Sequence, residues 1–353
     1  MTLELSTLKF NKGTSVLELE FSIISEDFTN LEYAYYVLKG DKDIRIKTEW
    51  YVPVIDNKTI ISYVPEESGE FRIRVFIKDQ NNKKTAKSSN PLFIDINNNG
   101  VVESTFKNEK IFYLDDPVKY LFQPSEKKSP YLLVIFSGLH TREYKGGTPV
   151  YNYIKTLQDT NNYNKLFILD EYRGQFCYYL GHNCQHGYEK AVIALITTIA
   201  NQLNISSKNI IACGSSKGGT AALYYGIKYH FGSVISGAPQ TYIANFLEKL
   251  ARRNLVIQKA LYNMTGINVE KGKRYINNLL FRLIDETESF PNLKLHIGKG
   301  DYHYEEHLIP LLDKLKTTGV DYYLDIQDYD DHSHTGTYYP SFLLEQLSEL
   351  IDV

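Results

Sequence analysis

The 353-residue chain has few cysteines, little net charge and no long apolar run, and each shortage removes a class of protein. Its three cysteines, Cys177, Cys184 and Cys213, cannot all pair with one another, and their spacing fits no zinc-binding pattern. A formal net charge of −3 gives no electrostatic reason to expect a nucleic-acid partner. No apolar run approaches the roughly 20 residues that span a bilayer, and the N-terminus lacks the pattern of a signal peptide. We therefore expect a cytoplasmic protein without a membrane span.

Residues 1–98 read as a series of short strands. Apolar and polar residues alternate between Val16 and Ile23, which is typical of a half-buried strand. Further strands are predicted at 33–38, 59–64 and 71–78, with turn-forming residues between them. This pattern predicts a small all-β sandwich of the immunoglobulin type. Because none of the nine histidines precedes His140, we expect this half to be a binding or spacer module, with a protein partner as one candidate ligand.

From residue 99 to the end, predicted strands and helices alternate, after an asparagine-rich linker at 95–100. The predicted helices cover 187–203, 219–230, 246–258, 305–316 and 341–351. Alternating strands and helices predict a mostly parallel sheet with both faces covered. The segment 240–291 is longer than a simple connection, so we expect a cap-like insertion near the pocket. Its basic residues either bind an anionic glycan or form a solvated face; they are Arg252, Arg253, Lys271, Lys273 and Arg274.

The strongest motif is Gly214-Ser215-Ser216-Lys217-Gly218, which lies between an apolar run and a helix-forming run. This is the pattern of a nucleophile elbow, in which a serine sits on a sharp turn between a strand and a helix. Glycines flank the serine because a side chain there would collide with the neighbouring elements. The motif predicts an α/β-hydrolase domain with Ser216 as the nucleophile.

A serine nucleophile needs a histidine base and a carboxylate that orients it, and in α/β-hydrolases the chain order is serine, acid, histidine. Asp301 ends a predicted strand after the elbow and is the favoured acid, with Glu305 and Glu306 as rivals. The loop after the last strand carries His332 and His334. We favour His332 as the base and keep His334 as the alternative or as a substrate contact.

Three other assignments concern residues around these candidates. A metal pair formed by His332 and His334 with Asp330 and Asp331 is a weaker alternative to the triad, because no further ligand cluster follows at a matching spacing. We therefore expect no metal and no bound cofactor. His303 and His307 flank the start of a predicted helix and are expected to be solvated, unless their closeness to Asp301 brings one of them near the substrate.

An oxyanion hole requires two N–H donors. The residue after the nucleophile, Lys217, supplies one in this fold, and the loop after the third strand supplies the other, which is Gly138 or Leu139 here. The Lys217 side chain is expected either to attract an anionic substrate or to cover the top of the sheet with its stem. His140 is expected either to line the pocket or to be a loop histidine at the surface.

The hydrolase half of the chain carries the segments 133–138, 214–219 and 236–240, and through them it resembles two bacterial surface-glycan families. One is the capsular polysaccharide biosynthesis family XcbB/CpsF, and the other is the accessory Sec system component that modifies glycans on exported serine-rich adhesins. The resemblance covers about residues 110–340 and depends on 133–138, 214–219 and 236–240. It implies serine-dependent acyl transfer or ester hydrolysis on a carbohydrate, typically of an acetyl group, with acetyl-CoA as a candidate donor.

Together, these patterns predict a serine esterase or O-acyltransferase that acts on a bacterial surface or capsular polysaccharide or its precursor. A peptidase or thioesterase with the same triad is one alternative, because the triad chemistry is common to all of these enzymes. A scaffold of a capsule or secretion complex with an idle elbow is the other.

Overall fold

A computed structural model of the chain describes residues 2–11, 16–25, 30–40, 43–66, 69–94, 106–112, 114 and 116–351. The predicted linker at 95–100 lies outside these residues. The chain divides into two compact units, Met1–Glu103 and Ser104–Val353. Among the described residues, no helix combines the length and the apolar character that crossing a membrane requires.

The described part of the first unit consists of antiparallel strands in two sheets. The strands, in chain order, are β1 (Thr2–Leu5), β2 (Lys9–Asn11), β3 (Val16–Ile24), β4 (Glu32–Lys39), β5 (Ile44–Pro53), β6 (Lys58–Tyr63), β7 (Gly69–Lys78), β8 (Lys84–Ser88) and β9 (Leu92–Ile94). One sheet has the order β1-β3-β2 with β6 also on β3, and the other has the order β5-β4-β7-β8 with β9 on β7.

The alternation in the sequence explains how these two sheets pack. In β3, Leu17, Leu19 and Phe21 are buried and the residues between them are not. Ile73 and Val75 in β7 belong to the same core, so one face of each sheet is buried. The all-β character of this unit is confirmed, whereas its immunoglobulin-type topology stays a prediction. The edge strand β5, whose residues are exposed or half-buried, was not predicted from the sequence.

The second unit contains an eight-stranded sheet within its described residues. Its strands are β10 (Lys110–Phe112), β11 (Val118–Gln123), β12 (Leu132–Phe136), β13 (Asn164–Ile168), β14 (Ile210–Ser215), β15 (Ser233–Gly237), β16 (Asn292–Gly298) and β17 (Tyr322–Gln327). Their order is β10-β11-β13-β12-β14-β15-β16-β17, and the strands from β13 to β17 are parallel. Every residue of β12 to β15 is buried, as in a sheet covered on both faces.

Helices connect the parallel strands, which confirms the predicted α/β-hydrolase fold class. They are α1 (Thr141–Tyr144), α2 (Gly187–Gln202), α3 (Lys217–Lys228), α4 (Ile243–Ala251), α5 (Leu255–Thr265), α6 (Val269–Glu286), α7 (Ile309–Thr317) and α8 (Thr335–Ile351). The helix predicted at 246–258 is wrong, because two helices occupy that stretch. Asn254 begins the second one: its side chain accepts the N–H groups of Val256 and Ile257, at 3.0 and 3.2 Å.

Candidate active site

The turn between β14 and α3 has the geometry of a nucleophile elbow. Ser216 adopts φ 55° and ψ −123°, a strained backbone conformation for a residue other than glycine. A Cβ atom on Gly214 would lie 2.6 Å from the carbonyl oxygen of Phe136, and one on Gly218 would lie 2.2 Å from it. Backbone atoms cannot rotate away, so the elbow requires glycine at both positions. The Ser216 N–H donates to the carbonyl oxygen of Gly237 at 2.8 Å and holds the turn on the neighbouring strand.

Two side chains from loops after later strands meet Ser216. The Nε2 atom of His332, which follows β17, lies 3.0 Å from Ser216 Oγ, and its Nδ1 atom lies 2.8 Å from Asp301 Oδ2. Asp301 follows β16 and is buried. Its burial alone would raise the pKa of the carboxyl group, but hydrogen bonds from His303 and His332 outweigh that effect and hold the pKa well below its usual range. Asp301 is therefore an ionised acceptor for imidazole N–H groups.

The rival acids and base lie elsewhere. His334, Glu305 and Glu306 are exposed, and Glu306 pairs with Lys249 at 2.5 Å. The structure thus brings together the favoured serine, acid and histidine and leaves the alternatives at the surface. The catalytic roles of the three remain a prediction.

His303 is a second histidine at this site, and the expectation that it is solvated is wrong. It is fully buried, its Nδ1 atom lies 3.0 Å from Asp301 Oδ1, and its ring stacks on that of His332 with centroids 3.7 Å apart. Burial lowers the pKa of His303 more than its hydrogen bond to Asp301 raises it. A π-helical turn at Tyr304–Leu308 also leaves His307 buried, with its Nδ1 atom accepting the Tyr242 N–H at 3.2 Å.

The same residues form a cluster that could hold a metal ion, since ligand atoms of Asp301, His303 and His332 lie within 4.8 Å of one another. In this arrangement, however, each Asp301 oxygen faces an imidazole Nδ1 atom. This is the geometry by which a carboxylate orients a histidine base.

Gln240 contacts the candidate nucleophile and was missed in the sequence analysis. Its Nε2 atom donates to Ser216 Oγ at 2.8 Å, and its Oε1 atom accepts the hydroxyl of Tyr178 at 2.5 Å. The Gln240 N–H donates to Thr220 Oγ1 at 2.8 Å, which fixes the backbone as well. Gln240 follows β15 at the edge of the sheet where parallel strands end, and this position was the signal that could have found it.

Two of the three predicted oxyanion donors are available. Among the described residues, the N–H groups of Leu139 and Lys217 have no acceptor. The Gly138 N–H already donates to Asn152 Oδ1 at 2.9 Å, so we favour Leu139 over Gly138 as the donor from this loop. His140 is exposed and caps α1, where its Nδ1 atom accepts the N–H of Arg142 at 3.1 Å.

The Lys217 ammonium group is buried and paired, so the expectation that it is free to attract an anionic substrate is wrong. The side chain is fully buried, with its Nζ atom 2.9 Å from Asp170 Oδ2 and 3.3 Å from Glu143 Oε1. Burial would lower the pKa of Lys217, but attraction by Asp170 and Glu143 outweighs it and raises the pKa above its usual value. An ammonium group without those partners would be costly to bury, so the partners explain its position.

The segment 240–291 contains α4, α5 and α6 in the connection between β15 and β16. Asn254 Nδ2 donates to the carbonyl oxygen of Tyr144 at 2.8 Å, which ties this segment to the end of α1. Of its basic residues, Lys273 pairs with Glu248 and Glu270 at 2.6 and 2.9 Å. The others, Arg252, Arg253, Lys271 and Arg274, are exposed.

The sheet order, the elbow and the position of the candidate residues define the class of the second unit as an α/β-hydrolase. The family model described as the accessory Sec system GspB-transporter matches residues 107–288, just over half of the chain. The chain belongs to this family, which confirms the resemblance to the accessory Sec system component noted from the sequence. An accessory Sec system protein of Staphylococcus aureus (strain NCTC 8325 / PS 47) is 32% identical over 131 residues. That match covers 37% of this chain and 23% of the relative, so the chain spans less than a quarter of the relative's length.

Solved structures share the fold at low sequence identity. A capsule O-acetyltransferase of Neisseria meningitidis serogroup A, solved in complex with CoA, is 21% identical, with a TM-score of 0.57 over 68% of this chain and 96% of its own. The Glycosylation Associate Protein (Gap123) complex from Streptococcus agalactiae is 18% identical, with a TM-score of 0.58 over 98% of this chain and 72% of its own. Serine hydrolases also share this fold.

Proposed function

We propose that this protein is a serine-dependent esterase or O-acyltransferase that acts on a bacterial surface or capsular glycan or its precursor. The observation that carries the proposal is the chain of hydrogen bonds from Ser216 through His332 to Asp301 at a strained elbow. The family membership and the fold shared with a capsule O-acetyltransferase support the glycan as substrate class.

In the first half-reaction, Ser216 Oγ forms a bond to the acyl carbonyl carbon while His332 Nε2 takes the hydroxyl proton. Asp301 stabilises the imidazolium that results. The oxyanion lies against the N–H groups of Leu139 and Lys217, as in other sites of this fold. When the tetrahedral intermediate collapses, the bond to the leaving group breaks and the leaving group takes the proton from His332.

In the second half-reaction, water or a sugar hydroxyl attacks the acyl-enzyme, and His332 takes its proton. The bond to Ser216 Oγ then breaks, and the serine recovers its proton from His332. Water as the acceptor gives an esterase, and a sugar hydroxyl gives an O-acetyltransferase. Acetyl-CoA is the first donor to test, because the structural relative with this fold binds CoA.

Two further proposals concern a protein partner and the place in the cell where the protein acts. We propose that the N-terminal unit binds a protein partner, since the similarity to the Streptococcus agalactiae complex extends over 98% of this chain. We also propose that the protein acts in the cytoplasm, as expected from the sequence.

The test is covalent labelling of the full chain with a fluorophosphonate probe, read by intact mass. Wild type is expected to gain one adduct, and Ser216→Ala none. Ser215→Ala is the matched control, because this neighbouring serine faces the hydroxyl of Tyr153 and has no place in the proposed chemistry. Acetyl-CoA and an acetyl ester, each with and without glycan acceptors, then separate transfer from hydrolysis. A folded wild type that does not label contradicts the proposal and favours a scaffold.

A further inference from the structure

The chemistry above uses only the backbone of Lys217, yet its side chain is the centre of a buried ionic cluster. The Lys217 ammonium group lies between the carboxylates of Asp170 and Glu143, which are themselves buried. The rings of Phe176 and Tyr179 pack near the ammonium group, with centroids 5.6 and 5.7 Å from Nζ. One ammonium group thus faces two buried carboxylates at the residue next to the nucleophile.

Through Glu143, this cluster contacts His140, the residue after the predicted oxyanion donor Leu139. Glu143 shares its two oxygens: Oε1 faces Lys217, and Oε2 accepts the N–H of His140 at 2.7 Å. His140 directly follows Leu139 in the chain. The position of the Leu139 peptide therefore depends on where the Glu143 carboxylate lies, and Lys217 fixes that carboxylate.

Through Asp170 and Tyr179, the cluster also contacts Ser137, the residue before Gly138 and Leu139. Asp170 accepts the N–H groups of Cys177, Tyr178 and Tyr179 at 3.0, 2.9 and 3.1 Å. The turn so fixed presents the Tyr179 hydroxyl, which accepts the N–H of Ser137 at 2.6 Å. Residues on both sides of Gly138 and Leu139 are thus attached to groups that Lys217 holds.

Removal of the ammonium group would leave two carboxylates near each other in a buried place. Asp170 would keep its three backbone donors, but Glu143 would retain only the N–H of His140. A buried carboxylate without a cation either takes up a proton or moves toward water. Burial already raises the pKa of Glu143, and the charge of Lys217 opposes that rise. Either response would weaken or move the bond to His140 and so displace the Leu139 N–H.

We propose that the Lys217 side chain is a positioning residue that sets the Leu139 N–H in the oxyanion hole through Glu143 and Asp170. This inference rests on the proposed function, since it concerns the same hole. Because the hole stabilises the transition state more than the bound substrate, its displacement lowers kcat and leaves KM nearly unchanged.

The test compares Lys217→Met with Lys228→Met, its matched control. Lys228 lies in the same helix and also pairs with a buried carboxylate, that of Glu189 at 2.6 Å, but it has no link to the 137–140 loop. The readouts are the rate of fluorophosphonate labelling, kcat and KM with p-nitrophenyl acetate, and thermal unfolding. We expect Lys217→Met to lower labelling and kcat by about 10- to 100-fold with KM little changed, somewhat less than the full loss of a donor. Lys228→Met is expected to lower the unfolding temperature only.

A rescue variant separates positioning from general damage. In Lys217→Met with Glu143→Gln, the glutamine carbonyl can still accept the His140 N–H without an unpaired charge, so we expect about tenfold of the lost rate to return. Equal losses in both lysine variants, or wild-type kcat in Lys217→Met, would overturn the proposal. If Lys217→Met does not fold, Glu143→Leu leaves the pair of Lys217 with Asp170 intact, and wild-type labelling in that variant would overturn it. A wild type that does not label at all contradicts the proposed function instead.

Discussion

Replacement of Asp301 by asparagine tests the triad through the two oxygens of this carboxylate. Oδ1 accepts hydrogen bonds from the backbone N–H and from Nδ1 of His303, at 2.9 and 3.0 Å. The carbonyl oxygen of an asparagine would keep these two hydrogen bonds. Its NH2 group would then face His332 Nδ1. His332 would have to accept at Nδ1 and carry its proton on Nε2, toward Ser216, where it cannot take the serine proton. We expect labelling and ester hydrolysis to fall by about 10³- to 10⁴-fold, or roughly 4–5.5 kcal/mol in the barrier.

The assay is the rate of fluorophosphonate labelling followed by intact mass, with circular dichroism to show that the fold is retained. Asp325→Asn is the matched control, because Asp325 Oδ2 pairs with His296 Nδ1 at 2.6 Å on the adjacent strands β17 and β16. That substitution changes the same kind of carboxylate–imidazole pair, which is connected to Asp301 through the hydroxyl groups of Tyr329 and Thr335 rather than directly, so it should lower labelling far less than Asp301→Asn does. A folded Asp301→Asn protein that labels within tenfold of wild type would refute the assigned roles of Asp301 and His332.

Two further predictions concern stability. Gly218→Ala should lower the free energy of unfolding by about 1–3 kcal/mol or more, because its Cβ atom would lie 2.2 Å from a backbone oxygen. Gly336→Ala is the control: a Cβ atom there has no atom within 4 Å, so the free energy of unfolding should change by less than about 1 kcal/mol. Urea unfolding of both variants measures these changes, and equal losses would contradict the prediction. The pKa of Glu189 is lowered to about 2, since hydrogen bonds from His186, Lys228 and Tyr229 outweigh its burial. Because this pKa is lower in the folded state than in the unfolded state, the ionised Glu189 stabilises the protein above pH 4.5, and this stabilisation is lost as the pH falls toward 2. The difference in unfolding free energy between wild type and Glu189→Gln should therefore shrink by up to about 3 kcal/mol between pH 6 and pH 2. A difference that stays constant over this range would refute the prediction.

The sequence was enough to predict the fold class and the three residues that meet at the elbow, for reasons of geometry. The glycines at 214 and 218 are a local requirement, because the atoms they avoid belong to the neighbouring strand. Asp301 and His332 follow from chain order, since loops after parallel strands meet at one edge of the sheet. Chain order carries no information about a bend inside a helical stretch. The break at Asn254 and the π-helical turn after His303 were missed for this reason.

The sequence pattern did not predict the side-chain contacts of Lys217, Gln240 and His303. The strand-end rule indicates the neighbourhood of Gln240 and of Asp170, because each closely follows a parallel strand. It does not indicate which atoms those side chains contact. A lysine beside a nucleophile normally points to solvent, since burial of its charge is costly. Lys217 is buried only because Asp170 and Glu143, distant in the chain, converge on the same point. Such convergence is a property of the packed structure, so the role proposed for Lys217 depends on a measured coupling between Lys217 and Glu143, which the double substitution at 217 and 143 supplies.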